Sequence, residues 1–173
     1  MKISYNWLRQ YIDFEWTPEE LGNKLTMAGL EVEGIERYDL HPGGLEGVVT
    51  GEVVTCIKHP GADKLHITTV DVGGAELLPI VCGAPNVAAG QKVVVALVGA
   101  KLYPVEGEPF EIKKAKIRSA DSMGMICAED EIGLGHSHAG IILLPDATPV
   151  GLPAASVFKL ESEHTLDIGL THN

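Results

Sequence analysis

Lys113, Lys114, Lys116 and Arg118 place four cations within six residues, the densest positive charge in the chain. Upstream, Lys58, His59, Lys64 and His66 make a second, looser basic passage. Ammonium and guanidinium groups so grouped are suited to phosphate contacts, which are local and weakened by salt. Side chains two apart on an extended strand share a face. The spacing therefore predicts Lys114, Lys116 and Arg118 projecting together while Ala115 and Ile117 turn toward a core. Lys58, His59, Lys64, His66, Lys114, Lys116 and Arg118 form the candidate nucleic-acid-contacting set. Aromatic residues are only 5% of the chain, and His66 and Tyr103 are the stacking candidates near these cations. That scarcity favours backbone and shape contacts over base reading. Outward charges also deter strand-edge pairing, so the same run has a purely structural reading.

Other chemistries find less support. His136 and His138 are two apart, but only Glu131 lies near them in sequence, and glycines at 135 and 140 frame a loop rather than a zinc site. Glu129-Asp130-Glu131 reads as a solvated helix start, where carboxylates complement the dipole. No Ser–His–acid order can be assembled, so no catalytic residue and no metal site is assigned. Cys56, Cys82 and Cys127 are odd in number, widely spaced and set among apolar neighbours, as expected of reduced, buried thiols.

With 173 residues, 45% hydrophobic and 21% charged, the chain has enough material for one ordinary domain or two small ones. The net charge of −11 argues against a general polyanion binder. It is spread unevenly: residues 40–150 carry 8 Lys/Arg against 13 Asp/Glu, and the flanks 5 against 11. Apolar runs reach only strand length and the N-terminus lacks a signal-like apolar core, so no membrane contact and a cytoplasmic location are expected.

The elements that must hold the basic passages follow from pattern. Ser4 is placed to cap a short helix with Trp7, Leu8, Tyr11 and Ile12 on one face. Thr17-Pro18-x-Glu20 forms a capping box before a helix whose stripe is Leu21, Leu25 and Ala28, ended by Gly29. Leu30–Tyr38 reads as a strand, and His41-Pro42-Gly43-Gly44 as a boundary. Beyond it come strands at Val48–Ile57, with Gly51 placed for a bend, then Leu65–Val72, Leu77–Val81 and Lys92–Val98. A hairpin-like excursion spans Gly99–Pro109, and short strands are expected near Ser122–Ile132 and Gly140–Pro145. Five or so strands with long connections suit a Greek-key OB-type barrel. Leu166, Ile168 and Leu170 alternate with polar or small residues, and this tail is expected to pair with Leu30–Tyr38. The expected fold class is α+β: a five-stranded barrel at 40–151 inserted in a small discontinuous α/β domain of 1–39 plus 152–173.

Several of these passages carry a resemblance. Lys58-His59-Pro60-Gly61-Ala62-Asp63-Lys64-Leu65, Ile80-Val81-Cys82-Gly83-Ala84-Pro85-Asn86 and Lys114-Ala115-Lys116-Ile117-Arg118 with Ser122-Met123-Gly124-Met125-Ile126-Cys127-Ala128 resemble the EMAP-type tRNA-binding OB domain. The flanks, Met1-Lys2-Ile3-Ser4-Tyr5-Asn6-Trp7-Leu8, Gly29-Leu30-Glu31-Val32-Glu33 and Leu166-Asp167-Ile168-Gly169-Leu170-Thr171-His172-Asn173, resemble the N-terminal region of the bacterial phenylalanine–tRNA ligase β subunits. Two positions depart from the pattern: Gly61 stands where that family has asparagine, and Ser119-Ala120 where it commonly has a glycine.

The resemblance implies an N-terminal piece of a larger aminoacyl-tRNA synthetase subunit that helps charge tRNA with phenylalanine. It further implies an α2β2 assembly with an α subunit, and ATP and magnesium as cofactors of the whole enzyme rather than of this piece. The piece itself is expected to be catalytically inactive, with tRNA as its partner. A second reading stays open, in which the acidic flanks with Trp7 and Trp16 serve interdomain packing in a large assembly.

Overall fold

The computed structural model describes residues 1–160 and 162–169. The chain divides into two compact units, Met1–Leu40 with the described part of Glu161–Asn173, and His41–Leu160.

In the first unit β1 (Lys2–Ser4) runs into a single helical turn, α1 (Tyr5–Leu8), whose cap is the Ser4 hydroxyl accepting from Trp7 N–H at 2.9 Å. The helix ends there. Tyr11 and Ile12 lie beyond it and stay exposed with Trp7, so the expected one-faced stripe does not form, and Tyr5 is buried instead. Helix α2 (Pro18–Met27) starts on a complete capping box: Thr17 Oγ1 accepts from Glu20 N–H, and Glu20 Oε2 accepts from Thr17 N–H at 2.8 Å. Its end is a Schellman turn. Gly29 takes φ +94° while Leu30 N–H reaches back to Leu25 C=O at 2.9 Å. Leu21 is buried and Leu25 packs beside it, but Ala28 is the exposed C-cap rather than part of the stripe. Strand β2 (Val32–Tyr38) closes this N-terminal portion.

The second unit opens with Pro42–Leu45 and then β3 (Val48–His59). There follow β4 (Ala62–Asp71), β5 (Leu78–Cys82), β6 (Lys92–Leu97) and the paired β7 (Lys101–Leu102) and β8 (Phe110–Glu111). Next are the paired β9 (Ala115–Ile117) and β10 (Ala120–Ser122), β11 (Gly124–Ile126), β12 (Leu143–Leu144) and the turn-long α3 (Ala154–Val157). The last strand, β13 (Glu163–Ile168), returns to the first unit and lies antiparallel between β1 and β2. The tail pairs with β2 as its alternation suggests: Leu166 and Ile168 are buried, whereas Leu170 and the residues after it lie outside the described residues.

The main sheet of the second unit is antiparallel in the order β11-β6-β3-β4-β5, with β12 added to β6. Its outer strands approach each other: Met123 N–H donates to Pro79 C=O at 2.8 Å, and Val81 N–H to Ser122 Oγ at 3.2 Å. This is a nearly closed, OB-like barrel. β3 makes the curvature possible because its first half pairs with β6 and its second with β4. Gly51 lies where these pairings overlap, and a Cβ there would lie 2.9 Å from Val95 Cγ2 and 3.0 Å from Asp71 C=O. The β3–β4 register shifts between Val53 and Thr55. Val53, Val70, Ile80, Val93, Val95 and Ile126 fill one core cluster. A second gathers Leu45, Val48, Val94, Leu102, Ile112 and Ile132 under the long β6–β11 connection. Each such side chain contributes roughly 1.5–3 kcal/mol of burial.

Candidate nucleic-acid interface

The run Ile112–Arg118 does not form the uninterrupted strand its alternation predicts. Ile117 pairs with Ala120, leaving Arg118-Ser119 as a two-residue loop with φ +49° and +72°. Positive φ at both positions is the signature of the hairpin turn whose twist matches its strands. Arg118 therefore sits in the turn, Lys116 on β9 opposite Asp121, and Lys114 ahead of the strand. Ala115 and Ile117 are exposed rather than turned to a core, because this hairpin is too short to be packed on both faces. The three cations share one hairpin but not one strand face. Lys114 and Lys116 line a cleft of about 370 Å3 together with Pro79, Asp121 and Met123.

The β3–β4 hairpin carries the other candidates. It is longer and tighter than expected, with His59 already opposite Ala62 across Pro60-Gly61. His59 is buried, and its Nδ1 accepts from Gly61 N–H at 2.9 Å, so its ring pins the turn. A Cβ at Gly61 would meet only this ring, at an ordinary 3.5 Å, so an asparagine would fit the same turn. Lys58 faces His66, which in turn faces Cys82, making one row across three strands. The next row on the same face is Cys56, Thr68 and Ile80. Lys58 and Lys64 are exposed; His66 is half-buried, with Nδ1 enclosed and lacking a hydrogen-bond partner among the described residues.

Beside that row opens a cleft of about 620 Å3. Its apolar surface comes from Val81 and Cys82 on β5, Ile117 on β9, Met125 and Ile126 on β11, and Ile141. Its polar side chains are Glu111, Lys113, Ser122, Glu131 and His138. Glu131 Oε2 accepts from Ala128 N–H at 2.7 Å, and Oε1 has no hydrogen-bond partner among the described residues. Asn86 holds the cleft's far wall by bonding both Ile141 N–H (3.0 Å) and Ile141 C=O (3.1 Å). Thus Lys113 borders the large cleft and Lys114 and Lys116 the small one, while the Lys58–His66 pair stands one strand from Cys82.

His138 Nδ1 lies 2.8 Å from Asp130 Oδ2, which gives that imidazole a carboxylate partner instead of His136. Among the described residues no three His, Cys, Asp or Glu side chains are grouped to hold a metal ion. All three thiols are free, and burial pushes each above its usual range, most strongly at Cys127. Phe110, 38% exposed on β8, is an aromatic in this unit that sequence reasoning passed over; its place next to Glu111 in an alternating pair was the available signal. Among the described residues no helix is long and apolar enough to cross a membrane.

Residues 48–153 match the family described as "Putative tRNA binding domain". The whole chain is 55% identical over 173 residues to the phenylalanine–tRNA ligase beta subunit of Bacteroides fragilis, and covers 21% of that protein. It is 46% identical over 183 residues to the same-named subunit of Salinibacter ruber, covering 22% of it. The chain thus spans about a fifth of the length of these curated relatives. A crystal structure of a MetRS related protein from Pyrococcus horikoshii aligns with 61% of this chain and 85% of its own, with 23% identity and a TM-score of 0.44.

Proposed function

Because this chain belongs to the tRNA-binding-domain family over residues 48–153, we propose that its barrel unit binds tRNA through the phosphate backbone. Lys58, Lys64, Lys114, Lys116 and Arg118 supply the contacts. The observation that carries the reading is the pairing of Lys114 and Lys116 around one open cleft at the β5 side of the barrel. His59 acts indirectly, by holding the turn between Lys58 and Lys64. His66 contributes from its half-buried place beside Lys58. The chain serves as an N-terminal, non-catalytic region of a phenylalanine–tRNA ligase β subunit. In the longer protein, acting with an α subunit in the cytoplasm, ATP and magnesium serve the charging of tRNA with phenylalanine. None of the residues named here is assigned to those cofactors. The boundaries of the two units support treating the barrel as an inserted module.

A salt titration of tRNA binding tests this. Five phosphate contacts give a log–log slope of roughly −3.5 to −4.5. The Lys114→Glu, Lys116→Glu, Arg118→Glu variant is expected to lose binding across all salt concentrations while keeping the wild-type melting profile. Absence of wild-type binding at low salt would overturn the reading.

A second reading has its own observation. Trp7, Tyr11, Ile12 and Trp16 are 53%, 69%, 56% and 42% exposed in the first unit. Such a set of large apolar side chains suits packing within a larger assembly.

A further inference from the structure

We infer that the 620 Å3 cleft between β5, the β9–β10 hairpin and Ile141 is a base subsite that accepts an unpaired nucleobase bearing an exocyclic amino group. The inference rests on the tRNA-binding reading and adds what the cleft selects. The size falls within the roughly 300–1,000 Å3 typical of small-ligand sites. Val81, Ile117, Ile126 and Ile141 give the flat side of a base apolar contact that does not require an aromatic ring.

The polar atoms decide what kind of base enters. Glu131 is held by Ala128 N–H through Oε2, which leaves Oε1 as an acceptor. Glu111 adds a carboxylate. His138, with Nδ1 against Asp130, presents Nε2 as an acceptor when that hydrogen bond is donated by the ring. Lys113 is the cleft's one side-chain cation. A lining rich in acceptors repels a phosphate and receives N–H groups, so the phosphates stay with Lys114 and Lys116 at the neighbouring cleft. Glutamate accepting from the N4 amino group of cytosine is the matching base contact, whereas uracil presents a carbonyl oxygen at that position. Single-stranded nucleotides, whose bases can be splayed out, are the form of RNA that reaches such a site.

The test compares fluorescently labelled hexamers of cytidylate and uridylate binding to the whole 173-residue chain, with tRNA binding measured in parallel. Wild type is expected to favour the cytidylate probe about tenfold. In Glu131→Gln the side-chain carbonyl can still accept from Ala128, and the amide NH2 then faces the cleft, so the preference is expected to fall and turn toward uridylate. Melting curves of the variant establish that the fold persists. Glu111→Gln, which disturbs no backbone bond, is expected to narrow the preference without reversing it. Equal affinity for the two hexamers in wild type, or an unchanged ratio in Glu131→Gln, overturns the subsite while leaving salt-dependent tRNA binding intact. Loss of all RNA binding in wild type would instead remove the tRNA-binding reading and the subsite with it.

Discussion

Arg118 and Ser119 show how a single residue type carries both geometry and charge. Both occupy the left-handed region, where an L side chain costs on the order of 1 kcal/mol. Ser119→Gly is therefore expected to raise stability by about 1 kcal/mol, read as a higher denaturation midpoint at unchanged slope. The replacement leaves Lys114, Lys116 and Arg118 in place, so tRNA affinity should not weaken. His59 teaches the complementary lesson. As a letter in a basic passage it is indistinguishable from a phosphate ligand, and only the Gly61 N–H on its ring shows that it builds the turn.

Among the elements, α2 was legible because its signals are local: a capping box, a proline at the first position and a glycine at the stop. Thr17→Ala removes the hydroxyl acceptor for Glu20 N–H and is expected to cost about 1 kcal/mol. A lowered melting temperature checks this. The barrel strands were legible as well, since β-branched runs bounded by glycine and proline mark them one at a time. The β9–β10 hairpin was not. Its alternation of Lys and apolar residues looks like a half-buried strand, but two positive-φ residues end the strand after Ile117. Nothing in a window of seven residues reveals that the apolar face borders an open cleft rather than a packed core. The large cleft was illegible for a related reason: Val81, Glu111, Glu131 and Ile141 meet only after the barrel has closed.

At the scale of the whole molecule, charge follows the two-unit division. The first unit ties its outer strands together across β13 through Lys2 Nζ, 2.6 Å from Glu36 Oε2, with the Tyr38 hydroxyl on the same carboxylate. The hydrogen bond from Lys2, then that from Tyr38, holds the Glu36 carboxyl below its ordinary 4.5. A depressed folded value means this stabilisation is complete above the unfolded pKa and is lost as pH falls through the folded one. The melting-temperature gap between wild type and Glu36→Gln should thus be widest at neutral pH and close below pH 4.5. Screening keeps the gap small, because both partners are half-exposed at the surface. The same sheet also sets a timetable. β1 has its hydrogen-bonded partner in β13, and Lys2 meets Asp167. On a ribosome β1 (Lys2–Ser4) is made well before its partner, which begins only at Glu163. At about 5–20 residues per second, that separation is roughly 10–30 s. The residues of the barrel unit, His41–Leu160, are all made in that interval, so β1 waits for its partner while another whole unit is synthesised between them.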